Sequence, residues 1–396
     1  MKLPPSIPVP GEVLEIARTL EEAGHQAWCV GGALRDALLG HPHSDFDIAT
    51  SASPGQVQAL FRRTAAVGEK YGTIGVVDRR RVLHEVTTFR RDVTTDGRHA
   101  VVEYGVSLEE DLARRDFTIN AIAYHPIRQE WRDPFAGLRD LNDRVVRAVG
   151  DPAQRFREDY LRILRGIRFA ARFDFTIEPA TWAAAVASAP GLATLSAERV
   201  RDEWFKGLRT ARSVAALVSF WRGVGATTYW MPELERTTPQ VLARVAALPL
   251  EQRDPVLLTA FLTATPDHVL RRFRASSAEV NRAKACSEEP PSPEGFDEPV
   301  VRRWLARVGP AADDLLALWA LRSGSEAHWA PIIRRVRDRR DPLTRADLAI
   351  SGNDLREAGA SGRRIGEILS ALLDQVLETP ALNSRETLLA LARKMV

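Results

Sequence analysis

The stretch Val30-Gly31-Gly32-Ala33-Leu34-Arg35-Asp36, followed nine residues later by Asp45-Phe46-Asp47, decides the fold. Side chains on an extended segment alternate faces, so Asp45 and Asp47 point one way while Phe46 and Ile48 turn into a core. Two carboxylates held that close repel each other unless a cation lies between them, and a divalent metal is the usual occupant. Upstream, Gly31-Gly32 opens a helix expected over 33–39 and closed by Gly40, and the amides at a helix start form an anion site. Arg35 lies one turn into that helix, within reach of phosphates held at its start. A metal site and a phosphate cradle a few residues apart imply phosphoryl or nucleotidyl transfer.

Working outward, β-rich runs at 26–30, 46–50, 73–77, 82–88 and 101–104 alternate with helices. One helix starts at Ser53-Pro54, with serine as N-cap and proline at the first helical position. Asp78-Arg79-Arg80-Arg81 joins two of the runs as a hairpin, so the sheet is expected to be mixed or antiparallel rather than doubly wound. From about Pro152 strand signals vanish. Ile163, Ile167 and Ala170 then fall at i, i+4 and i+7, as in a helix that buries one face. The Pro- and acid-rich run 288–299 is the best linker. The fold class read from this pattern is α+β, a mixed α/β head followed by an all-α remainder.

Composition excludes several classes. The 396 residues are 45% hydrophobic and 27% charged, as in ordinary globular proteins. No apolar run approaches a membrane span, the start lacks a signal-peptide core, and a cytoplasmic protein is expected. Cys29 and Cys286 stand far apart and outside any zinc-ligand pattern. Net charge is only +3, yet almost all of the 55 basic residues are arginine. Arginine grips phosphate bidentately and stacks on bases, which suits RNA, although a GC-rich genome produces the same bias.

Three further clusters carry candidate chemistry. Glu85, inside the β-branched run Val82-Leu83-His84-Glu85-Val86-Thr87, is either a solvated edge residue or a third carboxylate for the metal. Arg115, Asp116 and Asn120 lie at helical spacing around Phe117 and Ile119. They read as a charged helix start, with Asp116 near the positive dipole end, or as a grip on ribose and phosphates. Glu158, Asp159 and Arg162 share one helix face, with Arg165 a turn further on, as a salt-bridge ladder or a base reader. A carboxylate accepting from an exocyclic amine beside a guanidinium donating to a ring acceptor would take C and A and reject U and G. Ser196 and the Arg199–Glu203 pair read as bracing, and the arginine run 334–340 as a charged face or an RNA track. The nine tryptophans are scattered without a stacking pattern.

The ordered series Gly31-Gly32-x-x-Arg35-Asp36, Asp45-x-Asp47, Arg114-Arg115-Asp116-Phe117-Thr118-x-Asn120-Ala121, Asp133-Pro134-Phe135-x-Gly137, Glu158-Asp159-x-x-Arg162 and Glu198-Arg199-x-x-x-Glu203 closely resembles the bacterial class II tRNA nucleotidyltransferases. These are the CCA-adding enzymes and their poly(A) polymerase relatives. The resemblance covers roughly 25–210, with weaker likeness at 348–355 and 362–366. It implies a nucleotidyltransferase head (1–147), a helical neck that recognises the base (148–210), a helical body (211–290) and a tRNA-binding tail (296–396).

The implied reaction is attack of the tRNA 3′-hydroxyl on the α-phosphate of CTP or ATP, with loss of pyrophosphate. By the same resemblance Asp45 and Asp47 hold Mg²⁺ and Glu85 is a further catalytic carboxylate. Gly31, Gly32, Arg35, Arg115, Asp116, Asn120, Glu158, Asp159, Arg162 and Arg165 bind the nucleotide, with Asp159 and Arg162 pairing with the base and Glu158 positioning Arg162. The tail docks the tRNA elbow while the acceptor stem enters the site; no DNA or membrane partner is expected. The family's flexible loop is present but a little short here, as Asp96-Gly97-Arg98-His99 within 91–100. Its presence argues against a CC-adding relative and keeps an A-adding one as the alternative. A poly(A) polymerase is disfavoured because the first motif lacks a basic pair after its glycines. A non-catalytic RNA-binding relative is disfavoured by the intact Arg35, Asp45, Asp47 and Glu85, and no His-Asp phosphohydrolase pattern is present.

Overall fold

The computed structural model describes residues 4–41, 46–68, 72–95, 100–246, 248–287 and 292–396. They divide into two compact units, Met1–Glu235 and Arg236–Val396. That division falls inside the segment expected to form the body.

The first unit opens with α1 (Gly11–Glu22), β1 (Ala27–Val30), α2 (Gly32–Leu38), β2 (Asp47–Thr50) and α3 (Pro54–Leu60). Next come β3 (Thr64–Gly68), β4 (Thr73–Val77), β5 (Leu83–Thr88), a separate two-stranded ribbon of β6 (Arg90–Thr95) and β7 (Ala100–Tyr104), α4 (Leu108–Ala113), β8 (Ala123–His125) and β9 (Glu130–Arg132). The main sheet runs β3-β4-β5-β2-β1-β8-β9. Its β2–β5 pair is parallel and its other pairs are antiparallel, so the sheet is mixed, as the hairpin implied. In that hairpin Arg81 adopts φ 68° and the Asp78 side chain accepts from the Val82 amide at 2.8 Å. Ser53 caps α3 through a full capping box with Gln56.

Alternation along β1 and β2 builds two cores. Ala27, Cys29, Phe46 and Ile48 pack with Val13, Ile16 and Leu20 of α1 on one face. Trp28, Val30 and Ala49 pack with Phe89, Leu108 and Leu112 on the other. Asp47 shares the second face by alternation with Ile48.

Beyond the sheet lie α5 (Gly137–Asp143), β10 (Val145–Val146), α6 (Pro152–Glu158), α7 (Leu161–Phe173), β11 (Thr176–Ile177), α8 (Pro179–Ala187) and α9 (Ala197–Thr210). A strand therefore survives past Pro152: β11 pairs in parallel with β10, and two residues are too short to leave a periodic signal. Ile163, Ile167 and Ala170 of α7 are all buried, as their spacing requires. Phe169, Ala170 and Phe173 form one core with Leu38 of α2 and with Phe117 and Ile119. The second unit is helical among its described residues, with one core around Trp304 and Trp329 and another around Leu372 and Val376. No helix among the described residues is long and apolar enough to cross a membrane.

Gly137 opens α5 where a Cβ would strike the Thr118 carbonyl and come 2.8 Å from Ile122. Gly137→Ala must push backbone apart and is expected to cost about 1–3 kcal/mol, the usual range for overpacking. Urea unfolding of the full chain checks this.

Candidate active site

β1 ends at Val30, and Gly31 (φ 81°, ψ −142°) swings the chain into α2. Side chains avoid that φ. A Cβ there would also lie 3.1 Å from Asp47 Oδ2 and 3.5 Å from Arg115 Nη1, so glycine lets both groups close on the backbone. The register Ile48↔Val86 sets Asp47 beside Glu85 on adjacent parallel strands, on one face. Both line a cleft of about 510 Å³. Asp45 lies outside the described residues, as does Asp96-Gly97-Arg98-His99. Among the described residues no three His, Cys, Asp or Glu side chains gather closely enough to hold a metal. The oxygen-only pair Asp47 and Glu85 nevertheless suits a hard divalent cation. Burial, and then the neighbouring Asp47, push the Cys29 thiol up to about 12, which rules out thiolate chemistry there.

A closed ring of polar contacts forms the cleft wall. Arg172 Nη2 donates to Asp36 Oδ2 at 2.9 Å, and Asp36 Oδ1 accepts from Nε and Nη2 of Arg35. Arg35 Nη1 donates to Asn120 Oδ1 at 2.5 Å, and Asn120 Nδ2 donates to Asp116 Oδ1 at 2.9 Å. Arg165 Nε closes the ring on Asp116 Oδ2 at 2.8 Å. Arg165 and Arg172 both belong to α7, so the ring starts and ends on one helix. Phe169 and Phe173 fill its centre, with the Arg35 guanidinium 4.7 and 4.9 Å from their ring centroids.

Burial would raise the Asp116 carboxyl, but Arg165, the Asn120 amide and Arg162 outweigh it and hold the group at about 2. Asp116 charge also raises Arg165, while burial lowers Arg35. Arg35 is only 4% exposed.

The second motif departs from its expected form. α4 stops at Ala113, and Asn120 closes a separate 3₁₀ turn, Thr118–Asn120. Asp116 therefore answers Arg165 and Asn120 rather than a helix dipole. Behind it, the fully buried Asp111 holds Arg114 (2.8 Å) and Arg115 (3.2 Å) through its two oxygens. Arg115 also reaches the Asn120 carbonyl at 3.5 Å.

The third motif is not one continuous helix. α6 ends at Glu158, and Asp159 (φ −157°, ψ 105°) breaks the chain before α7. A helix-face ladder therefore forms only in part. Glu158 pairs with Arg162 at 2.9 Å, but Asp159 Oδ1 accepts from the Leu161 amide and Oδ2 from Arg199 at 2.7 Å. Arg162 Nη2 donates to the Arg114 carbonyl at 3.1 Å, tying the third motif to the second. Ser196 makes no side-chain cap on α9. Arg199 and Glu203 brace across helices rather than to each other: Glu203 takes Arg168 at 2.6 Å and Arg165 at 3.8 Å.

The cleft thus gathers Gly31, Gly32, Arg35, Asp47, Glu85, Arg115, Asp116, Asn120, Asp159, Arg162 and Arg165, with Glu158 directly behind Arg162. It also draws in Arg114 of the second motif, and Arg90, Arg168, Arg172 and Phe169, which the motifs did not mark. A signal existed for the α7 arginines, since 162, 165, 168 and 172 follow one helical stripe. None existed for Asp111. In the second unit, four of the arginines in 334–340 meet acids: Arg334 pairs with Glu326, Arg335 and Arg339 with Glu298, and Arg337 with Asp313.

Residues 27–147 match the Poly A polymerase head domain family, and residues 174–237 match the family described as a probable RNA and SrmB-binding site of polymerase A. A CCA-adding enzyme of Geobacillus stearothermophilus is 35% identical over 398 residues, spanning 96% of this chain and 95% of that protein. A CCA-adding enzyme of Streptococcus suis is 46% identical over 209 residues, so the chain matches about half the length of that relative. The crystal structure of the Bacillus stearothermophilus CCA-adding enzyme in complex with CTP superposes with a TM-score of 0.81 at 33% identity, covering 100% of this chain and 98% of that one.

The Asp116 carboxyl falls from an ordinary 3.8 to about 2 on folding. Its stabilisation is complete above pH 3.8 and is lost as pH falls through 2; at neutral pH it amounts to about 2 kcal/mol. Asp116→Asn is expected to be less stable than wild type by that order at pH 6, with the gap closing between pH 4 and 2. Urea unfolding of both proteins across that range measures it.

Proposed function

The chain belongs to the CCA-adding tRNA nucleotidyltransferases of the poly(A) polymerase superfamily, and from that membership we propose that it completes the CCA end of tRNA from CTP and ATP without a nucleic-acid template. The observation that carries the reading is a single cleft where a carboxylate pair, a glycine turn, an arginine wall and the Asp159/Arg162 pair all converge.

Asp47, together with Asp45 and with Glu85 alongside, would hold a divalent cation, for which we propose Mg²⁺. Bound there, such an ion lowers the pKa of the attacking 3′-hydroxyl and offsets charge on the leaving oxygens. The protein's own groups do the rest. Gly31 and Gly32 let the phosphates approach the backbone, while Arg115, Asp116 and Asn120 hold the ribose and α-phosphate region. Asp159 accepts from the exocyclic amine of C or A while Arg162 donates to the adjacent ring nitrogen. Uracil and guanine do not present that order of groups. Glu158 and the Arg114 carbonyl fix the Arg162 plane, and Arg199 fixes Asp159, so the reader is rigid before the base arrives. We assign the head to 1–147, the base-reading neck to 148–210, the body to 211–290 and a tail that meets the tRNA elbow to 296–396.

A gel-resolved extension assay with Mg²⁺ tests this on tRNA transcripts ending at the discriminator base, at C and at CC. CTP plus ATP should finish all three. Extension of the CC-ended transcript alone, with ATP, would make the chain an A-adding relative, and ATP runs beyond one residue would make it a poly(A) polymerase. In the same assay Asp47→Ala should lower turnover by on the order of 10³-fold, the scale of losing a principal charge-stabilising group. Arg162→Ala should reduce the preference for CTP over UTP by ~10-fold or more, as expected for a lost bidentate base contact. Unchanged discrimination in that variant would remove Arg162 from base reading.

A further inference from the structure

Positive charge in the cleft is not evenly cancelled. Arg162 has Glu158, and Arg165 and Arg168 have Asp116 and Glu203. Arg35 and Arg172 instead share one carboxylate, Asp36, through its two oxygens. The two guanidiniums differ in what they have left to donate. Arg35 is buried, and each of its nitrogens already donates, to Asp36 or to Asn120. Arg172 is 27% exposed and lines the same wall. Among the described residues it donates only through Nη2, to Asp36. Its Nε and Nη1 carry N–H groups with no acceptor among the described residues, on a group that stays charged at any working pH.

We propose that Arg172 contacts the phosphate tail of the incoming nucleoside triphosphate, beyond the α-phosphate, with Arg35 acting through Asp36 as its brace. This rests on the nucleotidyl-transfer reading above. The geometry prepares Arg172 for that contact. Asp36 pins one edge of the guanidinium and the Phe173 ring backs it, with 4.8 Å from its carbon to the ring centroid. A guanidinium held in plane loses little further freedom when it forks onto phosphate oxygens. A bound phosphate would also supply the second negative charge that two arginines on one carboxylate lack. An arginine serving only to close the Asp36 ion pair would contribute equally whatever occupied the cleft.

That contrast provides the test. Equilibrium dialysis of the full chain with Mg²⁺ and radiolabelled CTP would be competed with inorganic pyrophosphate and, separately, with CMP, which carries only the α-phosphate. Arg172→Gln is expected to weaken CTP and pyrophosphate by roughly 10- to 100-fold, the scale of one or two lost hydrogen bonds to a charged group, while CMP is unaffected. Arg172→Lys should recover part of the loss. Unchanged CTP binding in Arg172→Gln would overturn the proposal, as would equal weakening of CTP and CMP, which marks a purely structural tie. Failure of the wild-type protein to bind either CTP or pyrophosphate would remove the nucleotidyl-transfer reading itself, and this assignment with it.

Discussion

The ring of contacts that leaves α7 at Arg172 and returns to it at Arg165 is the constraint on which the rest of the site depends. Its members come from three separate pieces of chain: α2, the 3₁₀ turn at Asn120 with the nearby Asp116, and α7. Each carboxylate in it is shared, Asp36 between Arg35 and Arg172 and Asp116 between Asn120 and Arg165, so removing Asp36 leaves two guanidiniums without it. Phe169 and Phe173 stack beside the buried Arg35 guanidinium at the middle of the ring. The nucleotidyltransferase sheet and the helix that follows it are thereby locked into one wall.

Burying so many ions is costly unless each is paired, and the pairing scheme explains several details that look arbitrary in isolation. Asp111 is fully buried because it balances Arg114 and Arg115 from behind. Glu203 reaches from α9 to two arginines of α7, so a later helix helps hold the arginines that face the cleft. The break at Asp159 has the same logic. Leaving the helix there lets its carboxylate cap the Leu161 amide and meet Arg199, while Glu158 on the last turn of α6 still reaches Arg162. The Asp159/Arg162 pair is thus held by ion pairs at a chain break rather than projecting from an open helix face.

Much of the fold was legible in the residues. Alternation around Phe46-Asp47-Ile48, the Ser53-Pro54 helix start, the hairpin at 78–81 and the α7 periodicity all rest on local rules of period and turn chemistry. The strands β3, β6, β8, β9, β10 and β11 were not legible. They are two to six residues long, and β3 shows no burial alternation, so pairing partners rather than their own patterns make them strands. The motif residues were legible as a set because their chemistry is distinctive. Asp36, Asp111 and Arg172 were not given roles, since a lone acid or arginine beside a motif is indistinguishable from a surface charge until its partner is known.

By itself the sequence determined that Asp47 faces away from Phe46 and Ile48, that glycine occupies the turn after β1, and that α7 buries one stripe. Those outcomes follow from backbone geometry over a few residues. Only the tertiary structure decided that Asp116 answers Arg165 across 49 positions of chain, that Arg199 holds Asp159 rather than Glu203, and that Asp36 joins Arg35 to Arg172. Charges choose partners by distance and desolvation in the folded protein, and sequence spacing encodes neither.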